Sequence, residues 1–153
     1  RGARGVIDDL YVKNINMNRV LTPFVINAFY NCDVDGKTEY VWTKERLPVD
    51  EGTPCIEKIY IENVKCMDAQ IAAAFVYGLP EKKIGEIYME DVHIHLAVDA
   101  KLDYPAMMDF IEPTSRSGLY FNNVRYLKLS NVDVENALTE QVIMENVDRY
   151  EII

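Results

Sequence analysis

Two histidines are the residues of this 153-residue sequence whose spacing best suits metal binding. His93 and His95 stand two residues apart, which in a β-strand places both imidazoles on one face, where they could share a metal ion. The alternative is a pair of solvated histidines. The cysteines add no support for a metal, because Cys32, Cys55 and Cys66 are an odd number without CxxC spacing. We expect three reduced thiols, with Cys66 in the core.

Aromatic and basic side chains gather in one long segment, residues 28–54. It contains Tyr30, Tyr40, Trp42 and Lys44. An aromatic ring suits the axial C–H face of a pyranose, and a lysine suits the carboxylate of a uronic acid. The alternative is a loop that packs on its own domain or on a partner subunit. Long loops often carry function, so Tyr30 and Trp42 are candidate sugar contacts.

The composition is that of a soluble globular domain, with 49% hydrophobic and 27% charged residues. The longest apolar run, residues 71–77, is far below the roughly 20 residues that span a membrane. The net charge of −9 argues against nucleic acid and acidic membranes as partners. It leaves room for an anionic ligand in a local basic pocket.

A twelve-residue unit occurs five times along the chain. Such a repeat indicates that the same structural unit recurs in the fold. The copies are IDDLYVKNINMN (7–18), IEKIYIENVKCM (56–67), IGEIYMEDVHIH (84–95), VRYLKLSNVDVE (124–135) and, more loosely, TEQVIMENVDRY (139–150). We align them on Asn14, Asn63, Asp91, Asn131 and Asn146. All fifteen residues at positions −4, −2 and +1 from these are then apolar.

The apolar residues alternate with polar ones, which is the period of a strand, but the parity changes at the Asn or Asp. A straight strand cannot switch its inward face, and Asn and Asp best tolerate a left-handed backbone. Each unit is therefore predicted to be strand, sharp corner, strand. His93 and His95 fall in outward slots of this pattern. The sequence thus favours solvated histidines and predicts no metal site and no cofactor.

Successive corners are 49, 28, 40 and 15 residues apart. Repeats of about 20–45 residues stack into solenoids, in which each coil buries a shared core. We interpret the longer spacings as circuits of a parallel β-helix that carry loops. Residues 24–26, 73–76 and 107–111 would supply the third strand of successive coils. The short last step predicts a partial coil, and the fold class is all-β.

Four longer stretches cover nearly the whole chain: RGARGVIDDLYVKNINMNRVLTPFVINAFY, DGKTEYVWTKERLPVDEGTP, AAAFVYGLPE and DYPAMMDFIEP. They resemble the C-terminal coils of bacterial family-28 glycoside hydrolases, the polygalacturonase-like enzymes that cut pectin. The resemblance implies a right-handed parallel β-helix (solenoid), C-terminal coils only. It also implies hydrolysis of α-1,4-galacturonan with inversion.

The chemistry of that family lies in NTD, DD, GHG and RIK motifs. Asp8 and Asp9 match DD as letters, but residues 27–30 stand where the GHG histidine should be, and NTD and RIK are absent. An inverting glycosidase needs two carboxyl groups roughly 6.5–9.5 Å apart. The resemblance therefore implies no catalytic residue here, an inactive chain, and a single partial domain, 1–153, truncated at its N-terminal side.

The resemblance also places the sugar cleft. The strand with the RIK motif would stack on residues 23–27, then on 74–77 and 109–112, so the ends of these strands and the following loops would form one wall. This implies contacts to a galacturonate-containing polysaccharide or oligosaccharide from four residues: Asn27, Tyr30, Trp42 and Tyr77.

A second hypothesis is a non-catalytic β-helix module that binds pectic oligosaccharides or mediates assembly. The opening residues RGARG are too few and too polar to cap a coil. The layer of Ile7, Leu10 and Val12 would then be open, and we expect self-association through this N-terminal coil.

Overall fold

The computed structural model describes residues 1–2, 4–32 and 34–153, and the regular secondary structure of these residues is almost entirely β-strand. The strands are β1 (Val6–Ile7), β2 (Leu10–Asn18), β3 (Phe24–Asn27), β4 (Cys55–Ile56), β5 (Lys58–Ala69), β6 (Ala72–Tyr77), β7 (Ile84–Leu96), β8 (Ser117–Glu135) and β9 (Val142–Ile152). A single helical turn, α1 (Glu39–Trp42), lies in the long segment after β3. The prediction of an all-β fold is confirmed.

Every pairing between these strands is parallel. One sheet runs in the order β2-β5-β7-β8-β6-β3, and β9 also pairs with β8. The sheet curls because β8 is 19 residues long and is shared. Its first part pairs with β6 up to Asn122, and its second part pairs with β7 from Val124 onward. The parallel architecture is confirmed, and closure into a right-handed solenoid stays a prediction.

The strands bend at the Asn and Asp residues that the repeat singles out. Asn14, Asn63, Asp91 and Asn131 have φ angles of 58°, 52°, 52° and 51°, which is the left-handed region. Nδ2 of Asn63 donates to Oδ1 of Asn14 at 2.7 Å, and Nδ2 of Asn131 donates to Oδ1 of Asp91 at 2.6 Å. The predicted unit of strand, corner and strand is confirmed for these four copies.

The alignment of the fifth copy is wrong. Asn146 (φ 53°) stacks on Asn123 (φ 58°), to which its Nδ2 donates a 2.5 Å hydrogen bond, and not on Asn131. Nδ2 of Asn123 in turn donates to the carbonyl of Gly78 at 2.9 Å. A Cβ on Gly78 would lie 2.4 Å from the carbonyl oxygen of Asn123, so this second corner needs a glycine. The 15-residue step thus joins two different corners and does not mark a shortened circuit.

The third strands are partly as predicted. Phe24–Asn27 and Ala72–Tyr77 are strands paired with one another. The next strand of this face is the first part of β8, not residues 107–111, which lie in a loop. Met108 in that loop makes an antiparallel bridge to Tyr30, and its side chain is buried in a small cluster outside the sheet. The strand at residues 107–111 was predicted from apolar residues such as Met108 and Ile111, which pack in this cluster and not in the main core.

The main core fills the concave side of the curved sheet. Ile61, Val64, Val92 and Leu127 are at most 3% exposed there. Cys66 occupies the predicted core position at 0% exposure, and burial raises the pKa of its thiol to about 11. Within the described ranges, no helix is long and apolar enough to cross a membrane.

We expect Ile61→Ala and Val92→Ala each to lower the free energy of unfolding by about 2–4 kcal/mol, because both side chains are buried in the core. His93→Ala should cost less than about 0.5 kcal/mol, since this side chain lies on the outer face. Urea unfolding of the three variants measures the difference, and equal losses would contradict the assignment of the two faces.

Candidate functional site

The strands β3, β6, β8 and β9 turn a row of polar side chains away from the core. The row is formed, in register, by Asn27, Tyr77, Asn122 and Glu145. They alternate with core residues along each strand, so they lie on the opposite face of the sheet. The neighbouring row on this face is Val25, Phe75, Tyr120 and Ile143.

A hydrogen-bond network ties the far end of this row together. Nδ2 of Asn122, a residue only 7% exposed, donates to the Tyr120 hydroxyl at 2.9 Å and to Oε2 of Glu145 at 2.8 Å. The Tyr120 hydroxyl donates to the same Glu145 oxygen at 2.8 Å. Burial, together with the bond to Glu145, raises the pKa of Tyr120. The network fixes both aromatic and amide side chains on the outer face.

Two loops cover the middle of this face. Ala28 and Phe29 from the loop after β3, and Met108 from the loop before β8, pack with Phe75 and Leu79 in a second apolar cluster. Phe75 also stacks on Tyr120, with ring centroids 5.2 Å apart. The loops are thereby held on the sheet by the same kind of burial that forms the main core.

Asp109 joins the two loops by polar contacts. Its carboxylate accepts hydrogen bonds from Nζ of Lys37 at 2.9 Å and from Nδ2 of Asn31 at 2.8 Å. These bonds hold the pKa of Asp109 below its ordinary value, with Lys37 as the larger cause. The backbone of Asn31 donates to the carbonyl of Met107 at 3.3 Å. The loop ends beside Tyr30 are therefore fixed relative to each other.

A buried ion pair anchors the first loop from the other side. Nε and Nη2 of Arg1 bind the two carboxylate oxygens of Glu81 at 2.7 and 2.8 Å, with side chains 1% and 2% exposed. Nη1 donates to the carbonyl of Thr43 at 2.5 Å, and Nη2 donates to the carbonyl of Glu45 at 2.9 Å. A buried pair of this kind needs such additional hydrogen bonds to offset its desolvation.

Two cavities open beside the covered cluster. The first groove, about 360 Å³, includes Arg4, Asn27, Tyr30, Asp35, Val41 and Cys55 in its lining. The second groove, about 660 Å³, includes Thr22, Val25, Asn27, Tyr30, Tyr104 and Met107. Asn27 and Tyr30 line both grooves and form the wall between them. Tyr30 and Tyr104 are 51% and 56% exposed, so their rings are accessible to a ligand.

The structure brings two of the four predicted contact residues together. Asn27 and Tyr30 form the shared wall, and Oδ1 of Asn27 accepts the backbone N–H of Phe29 at 3.0 Å. Tyr77 is the register neighbour of Asn27, but its ring packs edge-on against Phe29 with centroids 5.2 Å apart. The described lining of the two grooves does not include Tyr77.

Trp42 is also placed away from the grooves. Its ring packs at a tilt on Phe110, with centroids 4.8 Å apart, and the residue is only partly exposed. The lining of the two grooves, as far as it is described, does not include Trp42. In this structure the ring joins the two loops to each other.

Lys44 lies in an unusual environment for an amine. Its Nζ is 4.4 Å from the centre of the Phe29 ring and donates to the carbonyls of Trp42 at 2.7 Å and Asp109 at 3.1 Å. Burial lowers the pKa of this amine to about 8, and the nearby Arg1 guanidinium adds to the effect. These contacts join the two loops, so the environment of the Lys44 amine depends on the loops being packed together.

Sequence reasoning missed several residues of this region. Glu145 is absent from the prediction because the last repeat is aligned on the wrong corner. Asp109 contacts Asn31 and Lys37 across 78 and 72 residues, a pairing that no local pattern signals. Thr22 and Tyr104 stand in irregular segments. A correct alignment of Asn146 on Asn123 would have placed Glu145 and Asn122 in one row.

The two histidines also lie on the outer face, but on β7, a strand that does not contribute to this polar row. His93 is in register with Lys65 and Asp133. Nδ1 of His95 lies 3.3 Å from Oδ1 of Asp68, and its Nε2 lies 3.0 Å from Nδ2 of Asn136. In the ranges that the structure covers, no three His, Cys, Asp or Glu side chains are grouped so that they could hold a metal ion.

Comparisons with known proteins do not assign this chain to a family. No protein-family model, no curated protein and no solved structure matches it.

We expect the Lys44 amine to titrate with a midpoint near pH 8, against an ordinary value of 10.5. NMR of reductively ¹³C-methylated protein measures this, and Lys44→Met assigns the signal. Because the unfolded chain keeps the ordinary pKa, it binds more protons than the folded chain between pH 8 and 10.5. The free energy of unfolding should thus rise with pH in this window relative to Lys44→Met. A flat difference would contradict the burial of the amine.

Proposed function

We propose that this chain forms part of the saccharide-binding cleft of a glycoside hydrolase of the polygalacturonase-like kind. Its ligand would be a galacturonate-containing polysaccharide or oligosaccharide. The observation that carries the proposal is the wall of Asn27 and Tyr30, which separates two open grooves on the outer face of the sheet. The amino-acid stretches that resemble family-28 enzymes supply the choice of substrate.

The strand arrangement supports a right-handed parallel β-helix as the finer form of this fold. Strands from successive repeats stack in parallel register over four layers, as in Leu10, Ile59, Ile87 and Leu127. The chain bends at a left-handed corner in each of these layers and continues as a strand. Coils of a solenoid stack in the same way, with one repeat per layer.

The chemistry of the grooves suits a pyranose. Tyr30 and Tyr104 offer exposed rings to the apolar face of a sugar, and Val25 adds apolar surface in the second groove. The amide of Asn27 can exchange hydrogen bonds with sugar hydroxyls.

Binding, rather than hydrolysis, is the role we propose for these residues. Asp8 and Asp9 are exposed, and Oδ1 of Asp8 accepts the backbone N–H of Asp9 at 2.9 Å. Neither lines the described part of the two grooves. An inverting hydrolase places its acid and its base on either side of the scissile bond. A non-catalytic module that binds pectic oligosaccharides is the second candidate, and it predicts the same contacts.

We expect Tyr30→Ala to weaken binding of an oligogalacturonate roughly tenfold, because one ring is removed from both grooves. Isothermal titration calorimetry measures the affinity. Tyr11→Ala is the matched control, since Tyr11 is similarly exposed, at 55%, but lies on β2, stacks on Tyr60 and does not belong to the described lining of either groove. The same samples should release no reducing sugar. Unchanged affinity of Tyr30→Ala, or turnover abolished by Asp8→Asn or Asp9→Asn, would contradict this proposal.

Self-association of the chain is a separate proposal. Val6, Ile7 and Leu10 are 71%, 48% and 43% exposed beside the outer edge of the sheet. Exposed apolar strands recruit another chain by edge pairing or end-on packing. We expect dimers or larger species at micromolar concentration, and Leu10→Glu or Val12→Glu should shift them toward monomer. Light scattering distinguishes these states, and a stable monomer of the unmodified chain would refute the proposal.

A further inference from the structure

A row of tyrosines crosses the outer face of β2, β5 and β7, outside the described lining of the two grooves. Tyr11, Tyr60 and Tyr88 are register partners on these strands. The rings of Tyr11 and Tyr60 are stacked, with centroids 4.6 Å apart and planes 6° from parallel. Those of Tyr60 and Tyr88 are stacked at 5.0 Å and 9°. Neighbouring strands about 4.8 Å apart impose this spacing on equivalent side chains.

The two ends of the row differ in how firmly the ring is held. The Tyr88 hydroxyl donates to Oε2 of Glu86 at 2.6 Å, and the ring of Tyr126 packs on the Tyr88 ring at a steep angle, with centroids 5.7 Å apart. Tyr11 is 55% exposed, and among the described residues its ring contacts no aromatic ring other than that of Tyr60. Tyr11 is therefore free to tilt toward Tyr60, whereas Tyr88 is held on two sides.

Two stacked phenols can couple when both are oxidised. Loss of one electron and of the hydroxyl proton converts a tyrosine into a phenoxyl radical, whose unpaired electron is shared with the Cε atoms of the ring. Two such radicals form a Cε–Cε bond, and the hydrogen on each joined carbon then moves to the phenol oxygen. With peroxide as oxidant, two tyrosines and one hydrogen peroxide give one dityrosine and two water molecules. Held proximity favours such a step, because the two reactants are already together.

We propose that Tyr11 and Tyr60 form a site of oxidative cross-linking, at which peroxide and a haem peroxidase join β2 to β5 by a dityrosine bond within one chain. The exposure of Tyr11 gives the oxidant access, and the register of the two strands keeps the rings in contact. The bond would link residues 49 positions apart in the sequence. A cross-link of this length restricts the unfolded chain, as a disulfide does. This site is independent of the proposed saccharide binding.

The test treats the dilute full chain with a haem peroxidase and limiting hydrogen peroxide. The product should be a monomer lighter by two hydrogen atoms, with the fluorescence of dityrosine. Trypsin cuts after lysine and arginine, so it should release residues 5–13 joined to residues 59–65. Tyr11→Phe keeps the stacked ring but lacks the hydroxyl, and it should lose this peptide pair. Tyr104→Phe is the matched control, since Tyr104 is 56% exposed on a distant loop, and it should keep the pair.

Three results would overturn the inference. The first is an unchanged yield in Tyr11→Phe. The second is coupling found only between two chains, or chiefly between residues 59–65 and 84–101, which contain Tyr60 and Tyr88. The third is an equal yield of the predicted pair in urea, where the strand register is lost.

Thermal unfolding tests the stabilising effect of the bond. Peroxidase treatment should raise the melting temperature of the unmodified chain, because the cross-link restricts the unfolded state, and it should leave that of Tyr11→Phe unchanged. Equal shifts in the two proteins would show that the bond does not staple β2 to β5, and would overturn that part of the proposal.

Discussion

The fold depends on one backbone constraint: the chain must change the parity of its alternating side chains without ending the strand. A residue in the left-handed region does this, since it rotates the chain so that the next apolar side chain again points to the core. Asn14, Asn63, Asp91 and Asn131 take this role, and each stands in register with its neighbours in adjacent strands. Parallel stacking repeats the corner from layer to layer, so each layer needs the same residue type at the same place.

The site follows from what this arrangement leaves uncovered. One face of each strand is committed to the core, and the opposite face carries rows of equivalent residues, such as Asn27, Tyr77 and Asn122. Loops after β3 and before β8 cover the middle of these rows through the cluster around Phe29 and Met108. The grooves lie where this cover ends. Their shape is therefore set by the loop contacts as much as by the sheet.

Polar contacts between distant residues hold the loops in position. The buried pair of Arg1 and Glu81 and the bonds of Asp109 to Lys37 and Asn31 each join segments more than 70 residues apart. Removing one partner of a buried pair leaves a charge without compensation, which makes such contacts sensitive to substitution. The wall formed by Asn27 and Tyr30 stands beside these contacts, so groove geometry and loop anchoring are coupled.

The sequence by itself determined the parallel strands, the corners and the inward positions of four repeats, because side-chain alternation and the need for Asn or Asp at a left-handed corner are local properties. It also singled out Asn27 and Tyr30. It misplaced Asn146 and the strand at residues 107–111, since apolar alternation does not reveal which layer or which cluster a residue serves. Only the tertiary structure decided that Trp42 and Tyr77 pack inside the loop region and that Arg4 faces a groove. Those outcomes depend on pairings between segments far apart in the chain, and no local pattern encodes them.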